Sequence, residues 1–199
     1  MVQNKTNLDL EVVNVLIREK THLREMARRL KESHSTVLRR VNELVKENVL
    51  DYKIEGKNKI FFIKNNLQAR NYVYSAERYK LVKLLKKYPR LSIIFSDILK
   101  SVHGRIIVLF GSYAKFSAKP DSDIDIYIDT ADGKIKHRVE EINSRIRAKI
   151  GKFDMNSLLI REIIKNHVIL SDIEEFYEKI KFFEYDANRT RAGFQNIFR

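Results

Sequence analysis

Residues 110–127 read FGSYAKFSAKPDSDIDIY, and this stretch decides the fold of the C-terminal half of the chain. A glycine and a serine, Gly111 and Ser112, are followed after ten residues by Asp123 and Asp125. Polar and apolar residues alternate from the first aspartate onward, which predicts a β-strand. Successive side chains of a strand point to opposite faces, so both carboxylates are expected on the same face.

The residues before the glycine complete the pattern. The run RIIVLF at 105–110 is apolar and rich in β-branched residues, which predicts a buried strand ending in a tight turn. Two carboxylates on one strand face repel each other, so such a pair is typical of a cation site. The chain contains no cysteine, which leaves carboxylates and histidines as metal ligands and excludes disulfides and thiol nucleophiles.

The quoted stretch resembles the minimal nucleotidyltransferases of the DNA polymerase β superfamily. In that family a strand leads into Gly-Ser at the start of a short helix, and two aspartates follow on the next strand; the spacing here is GSx(10)DxD. The resemblance implies an α+β nucleotidyltransferase domain over residues 91–186, with a mixed sheet and flanking helices. It also implies that Gly111 and Ser112 hold nucleotide phosphates, while Asp123 and Asp125 hold Mg²⁺, with two ions in the site.

The family also uses a third carboxylate on a neighbouring strand, and Asp154 is the candidate. It stands in the run KFDMNSLL, after a helix predicted over residues 133–150. The resemblance then implies a catalytic and metal-binding set of Asp123, Asp125 and Asp154. Asp129 is the alternative third member, but it follows Asp125 by four residues, or about 13 Å along an extended strand.

Three further positions bear on the same site. Lys115 matches a basic residue common in the family, which implies a contact with a nucleotide phosphate. Ser122 is expected to belong to the nucleotide-binding set and to orient Asp123 by a hydrogen bond. Phe116 stands where the family frequently has glycine, and this departure bears on the size of the acceptor and on activity.

The N-terminal part, residues 6–64, has the pattern of three short helices and a hairpin. Apolar residues recur at helical spacing in three segments. The first covers residues 8–19, and the second follows Thr21, which is expected to cap it. The third is expected to be capped by Ser33 or Ser35. Two β-rich runs then flank the turn sequence EGKN. The text HLREMARRLKESHSTVLRRVNELVKENVLDYKIEGKNKIFFI resembles the winged helix-turn-helix domains of archaeal and bacterial transcription regulators.

This second resemblance implies DNA binding by the third helix and the hairpin wing. The helix would enter the major groove, and the wing would touch the DNA backbone. The alternative is a protein–protein or dimerisation module, in which the same basic residues form a solvated face. The residues predicted to contact DNA are Ser35, Thr36, Arg39, Arg40, Lys57 and Lys59.

The charge distribution favours a polyanionic partner for the N-terminal half. The chain has a net charge of +13, of which residues 1–103 hold +11 and residues 104–199 hold +2. A basic half joined to a nearly neutral half is typical of nucleic-acid binding by the basic part.

Residues 65–90 predict a helical connector, since no glycine or proline occurs before Pro89. Its tyrosines interleave with lysines and arginines. This pattern favours a packed interface over base stacking, although both uses of tyrosine are known. Residues 187–199 form a basic tail.

The two resemblances together imply a Mg²⁺-dependent enzyme that binds DNA. It would transfer a nucleoside monophosphate, most often AMP from ATP, to a hydroxyl of a protein or small-molecule acceptor. The GSx(10)DxD text is similar to that of antitoxins that modify a partner toxin, so a toxin is one candidate acceptor. The alternative is a transcription regulator, binding DNA as a homodimer, whose nucleotidyltransferase domain senses nucleotide or is inactive.

A cytoplasmic location is expected. No apolar run approaches the roughly 20 residues that a membrane span requires. The first residues, MVQNKTNLDLEVV, also lack the basic-then-apolar pattern of a secretory signal.

Overall fold

The computed structural model describes residues 2–184, with side chains from residue 7 onward. The described chain divides into one unit of residues 2–79 with 183–184, and a second unit of residues 80–182. The basic tail expected at residues 187–199 lies outside the described residues.

The first unit combines helices with a small antiparallel sheet. Its three strands lie in the order β1-β3-β2. The elements, in chain order, are α1 (Val2–Arg18), β1 (Thr21–His22), α2 (Leu23–Leu30), α3 (His34–Lys46), β2 (Leu50–Glu55), β3 (Asn58–Ile63) and α4 (Leu67–Lys87), within which the division between the units falls.

Local hydrogen bonds set the ends of the short helices. His22, not Thr21, caps α2, because Thr21 pairs with Phe61 in the sheet and the His22 ring accepts a hydrogen bond from the Glu25 amide. Ser33 caps α3, because its hydroxyl oxygen accepts a hydrogen bond from the Thr36 backbone amide at 3.1 Å. Apolar residues on the inner helix faces and on β3 form the core of this unit, including Val13, Met26, Val41, Leu44 and Phe61.

Two tyrosines of α4, Tyr72 and Tyr74, pack within the first unit. The Tyr72 hydroxyl donates to a carboxylate oxygen of Glu47 at 2.5 Å, and burial, with this bond, raises the pKa of Tyr72 to about 12. The Tyr74 ring meets Phe183 edge-on, with ring centres 6.4 Å apart. These contacts favour the packing interpretation of the tyrosines.

The second unit is built on a mixed four-stranded sheet in the order β6-β5-β4-β7. β5 pairs parallel with β6, whereas β4 pairs antiparallel with β5 and with β7. This arrangement confirms the predicted α+β class with a mixed sheet and helices. The elements are α5 (Leu91–Ser101), β4 (Ile107–Leu109), α6 (Gly111–Ala114), β5 (Ile124–Asp129), α7 (Gly133–Ile142), β6 (Ile146–Gly151), α8 (Leu158–Lys165), β7 (Val168–Ser171) and α9 (Ile173–Lys179).

The two faces of this sheet have different roles. On one face, Ile124, Ile126 and Ile128 are completely buried in the core that α5 and α7 help to form. The intervening residues of β5 point to the opposite face. That second face carries Asp125, and Asp123 has the same parity one residue before the strand begins.

No helix within residues 2–184 has both the length and the apolar character needed to cross a lipid bilayer.

Candidate active site

Asp123 and Asp125 lie at the start of β5, as the alternation of residues predicts. Asp123 is exposed, whereas Asp125 is partly buried. Burial, and then the nearby Asp123 charge, raises the pKa of Asp125 above its ordinary value; Lys149 and Arg147 oppose this rise. The fold therefore keeps a carboxylate where its charge is disfavoured without a bound cation.

Gly111 touches the Asp125 carboxylate directly. The glycine has φ of +69°, and a Cβ atom there would lie 3.0 Å from Asp125 Cγ and closer still to a carboxylate oxygen. The preceding amide, of Phe110, donates to the Asp125 backbone oxygen at 2.9 Å. Only glycine fits both the backbone conformation and the space at position 111, so the position of the Asp125 carboxylate depends on the glycine of the motif. Ser112 follows in α6.

Two cations on β6 adjoin the aspartates and were missed by the sequence reasoning. Arg147 pairs in register with Asp125, and its Nη2 lies 3.3 Å from Asp123 Oδ1. Lys149 pairs in register with Tyr127, one pleat further along the same face. The segment IRAKIG alternates apolar and basic residues, and this alternation was the available signal for a strand with both cations on one face.

The structure does not bring Asp154 to the aspartate pair, which corrects the predicted carboxylate set. The predicted helix over residues 133–150 ends at Ile142, and β6 follows at Ile146–Gly151. β5 and β6 are parallel, and Gly151 pairs with Asp129 at the C-terminal ends of the two strands. Asp154 therefore lies beyond that end, away from Asp123 and Asp125 at the start of β5. There its carboxylate accepts a hydrogen bond from the Asn156 amide at 2.9 Å.

Asp129, the alternative third carboxylate, has a structural role at that far end. One carboxylate oxygen accepts the Phe153 amide hydrogen at 3.0 Å, and the other accepts from Lys179. The hydrogen bond to Asp129 raises the pKa of Lys179. Asp129 thereby joins the end of β5 to the loop after β6 and to α9.

Lys115 and Ser122 lie between Gly-Ser and the aspartates of the motif, and both have hydrogen-bond partners within the protein. Lys115, at the end of α6, forms an ion pair with Glu162 of α8 at 2.8 Å, and both side chains are about half exposed. The Ser122 hydroxyl accepts a hydrogen bond from the Lys119 amide at 2.9 Å. This bond shapes the turn before Asp123, whereas the sequence suggested a bond to Asp123 itself.

Phe116 has a backbone conformation that suits glycine. Its φ is +57°, in the left-handed region, and its carbonyl accepts a hydrogen bond from Lys87 Nζ at 2.6 Å. A left-handed non-glycine residue costs about 1 kcal/mol or more. The ring packs against the core, which offsets this cost.

We expect Phe116→Gly to be more stable than Phe116→Ala by about 1 kcal/mol, because both variants lose the ring but only glycine relieves the left-handed backbone. Urea denaturation measures the difference. The control is Ala114→Gly in α6, which should destabilise the protein by about 1 kcal/mol, the usual direction in a helix. An alanine variant of Phe116 more stable than the glycine variant would contradict the expectation.

The two carboxylates at the start of β5 fit one divalent cation. Mg²⁺ is commonly bound in proteins by one or two carboxylates, with phosphates and waters completing its shell. Within residues 2–184, no three His, Asp or Glu side chains are grouped so that they could hold a metal. The residues therefore suit a cation that arrives with a nucleotide, and they do not form the predicted cluster of three carboxylates.

In the first unit, Ser35 and Arg39 lie on the exposed face of α3, and Thr36 is partly exposed. The same face includes Leu38 and Asn42, which the sequence reasoning did not single out.

Arg40 corrects the predicted DNA-binding set. It is 3% exposed, and its Nε donates to Asp9 Oδ1 at 2.6 Å, while its other nitrogens pair with Asp9 and Glu43. Burial raises the pKa of Asp9, and the hydrogen bond from Arg40 opposes the rise. Arg40 therefore joins α3 to α1 and is not available to a ligand.

The two predicted wing lysines are exposed. Lys57 lies in the turn between β2 and β3, beside Gly56 with φ of +62°. Lys59 lies over the Tyr52 ring, with its Nζ 4.1 Å from the ring centre. The ring holds this charge at the surface of the hairpin.

Comparison with known proteins identifies the part of the chain that holds the aspartates. No curated protein and no solved structure matches the chain. Residues 96–181, however, match the family model described as polymerase beta, nucleotidyltransferase. Such domains generally use a nucleoside triphosphate and a divalent metal ion. The match covers β4, α6, β5 and β6, and it supports assigning this part of the chain to the nucleotidyltransferase superfamily, with a general nucleotidyltransferase activity.

Proposed function

We propose that the protein is a Mg²⁺-dependent enzyme that transfers AMP from ATP to a hydroxyl of a protein or small-molecule acceptor. The contact between Gly111 and the Asp125 carboxylate is the observation that carries this proposal. In this proposal the turn at Gly111 would hold the phosphates and the adjacent Asp125 carboxylate would hold the cation, and a metal-bound triphosphate requires both groups side by side.

Each residue of the site has a defined task in this reaction. The bond between the acceptor oxygen and the α-phosphorus forms, the bond from the α-phosphorus to the oxygen that bridges it to the β-phosphate breaks, the hydroxyl proton passes to water, and pyrophosphate leaves. Asp123 and Asp125 would hold the cation, which neutralises phosphate charge when bound. Gly111 allows the phosphates to approach the backbone, and Ser112 offers a hydroxyl and an amide as donors.

The direct test is nucleotidyl transfer by the purified protein. The protein is incubated with each of the four α-³²P-labelled triphosphates, Mg²⁺ and a cell lysate, and labelled products are separated by size. A labelled product that needs both the protein and Mg²⁺ supports the proposal, and preference for ATP supports AMP transfer. No product with any triphosphate would count against enzymatic activity and favour a nucleotide sensor.

A second function, DNA binding, has its own support. We propose that residues 6–64 form a winged helix-turn-helix domain with α3 as the helix that enters the major groove. The support is the order of three helices and a hairpin, the exposure of Ser35, Arg39 and Lys57, and the net charge of +11 over residues 1–103. Such a domain would bring the enzyme, or the sensor, to its own operator.

Arg39→Ala is expected to weaken binding to duplex DNA by about tenfold, since one charge-assisted contact is lost. Fluorescence anisotropy over a salt series measures the effect, and loss of a phosphate contact should also reduce the salt slope by about 1.

The control for that measurement is Arg18→Ala, which removes an exposed arginine from the end of α1. Equal affinity of the two variants would argue against α3 as the DNA-binding helix. Arg40→Ala is unsuitable, because it would leave Asp9 as a buried charge and destabilise the domain.

A further inference from the structure

The strand beside the aspartates carries positive charge where a third carboxylate would be needed. In a parallel pair, residues in register point to the same face and are nearest neighbours across the strands. The residue in register with Asp125 is Arg147, and the next on that face of β6 is Lys149. On β6 this is the position nearest to Asp125 from which a third ligand could come, and the chain has a guanidinium there.

The contacts of Arg147 strengthen this observation. Its Nη2 lies 3.3 Å from Asp123 Oδ1, so one of the two carboxylates already has a cation against it. Lys149 lies on the same face of β6, two residues beyond Arg147, so this side of Asp125 has two positive side chains. A second divalent ion on this side would meet two positive side chains in place of a ligand, and like charges this close repel strongly.

We propose that the site holds a single divalent cation, bound together with the nucleotide, and that the Arg147 guanidinium takes the place of a second ion. Arginine suits this role because it remains charged at all working pH values and binds phosphate oxygens through two nitrogens. The proposal deepens the proposed function and rests on it, because it requires a triphosphate at Asp123 and Asp125. It replaces the expectation of two Mg²⁺ ions.

The experiment counts ions without requiring turnover. The full-length protein is saturated with α,β-methylene ATP, which cannot release pyrophosphate, and Mn²⁺ is titrated in while free Mn²⁺ is followed by electron paramagnetic resonance. We expect one Mn²⁺ per complex for the wild type. Arg147→Asp, which supplies a third carboxylate, is expected to bind two.

Two further variants separate the role of Arg147 from general effects of charge. Arg90→Asp makes the same substitution at an exposed position before α5, where it also offers a good helix cap, and should keep one Mn²⁺ per complex. Arg147→Gln removes the cation without adding a ligand. It should also keep one ion, but bind the analogue about tenfold more weakly through loss of a phosphate contact.

The outcomes distinguish this inference from the function on which it rests. Two ions in the wild type, one ion in Arg147→Asp, or unchanged analogue affinity in Arg147→Gln would each overturn the single-cation site while leaving nucleotidyl transfer intact. No analogue binding by the wild type would overturn both. Circular dichroism of each variant verifies that it is folded before titration.

Discussion

Asp125→Asn is expected to abolish nucleotidyl transfer while making the nucleotide-free protein more stable. The loss follows because an amide cannot replace an ionised carboxylate as a ligand for the cation; we expect at least a 100-fold decrease in rate, or about 2.7 kcal/mol. The gain follows because the wild-type charge is partly buried and faces Asp123. Removing it should raise the free energy of unfolding at pH 7 by about 0.5–1 kcal/mol.

The pH dependence of this gain has a definite sign. The pKa of Asp125 is raised in the folded protein, so its ionisation on going to higher pH opposes folding. The wild type therefore regains the difference as the pH falls through this pKa, where its side chain becomes neutral like asparagine. Urea denaturation at pH 7 and at pH 4, in the presence of a chelator, should show the advantage of the variant shrinking at the lower pH.

Asp129→Asn on the same strand is the matched control. Its carboxylate accepts hydrogen bonds from the Phe153 amide and from Lys179, so the variant should lose about 1–2 kcal/mol of stability and retain transfer at temperatures where it is folded. The two variants thus move stability in opposite directions. Loss of stability in both would mean that Asp125 is a structural residue.

Gly111→Ala is expected to have the second large effect. A Cβ atom there would collide with the Asp125 carboxylate, at a backbone φ of +69° that disfavours every side chain. The backbone strain costs about 1 kcal/mol and the overlap about 1–3 kcal/mol. If the Asp125 carboxylate turns away to relieve the overlap, the cation loses a ligand. Transfer should therefore fall by at least about 100-fold.

Gly104→Ala separates the two costs of that substitution. Gly104 has φ of +59°, and a Cβ atom there would meet nothing within 4 Å. The variant should lose only about 1 kcal/mol, with transfer unchanged. Denaturation and the transfer assay on both variants provide the comparison; equal effects on transfer would contradict a specific contact between Gly111 and Asp125.

The local patterns predicted the two strands around the aspartates. A strand ending at glycine and an alternating strand beginning at the aspartates follow from apolar periodicity, and both are present as β4 and β5. The prediction of one helix over residues 133–150 was wrong, because it extended the helical pattern of α7 through IRAKIG at 146–151. That segment has period two, and it is the strand that carries Arg147 and Lys149. Because β6 ends at Gly151, Asp154 lies in the loop after the strand and not on the strand where the sequence predicted it.

Other features depend on contacts that no local pattern contains. Arg40 is a charged residue, so the sequence predicted it on the exposed face of α3. It is buried because it pairs with Asp9, which is distant in sequence. The left-handed conformation of Phe116 could be anticipated only from the frequent glycine at that position in the family. The ion pair of Lys115 with Glu162 likewise depends on where α8 packs, which the motif does not encode.

Among the strands of residues 2–184, β6 is the outermost in its sheet, and on its outer edge the Ala148 amide donates a hydrogen bond to Glu140 at 3.1 Å. An exposed edge offers unpaired backbone groups to any other extended chain, and proteins commonly protect such edges with charged side chains. Arg147 and Lys149 are exposed on this strand. Arg147 and Lys149 would therefore discourage edge-to-edge aggregation, so replacing both with neutral residues should lower the solubility of the protein even where the fold is retained.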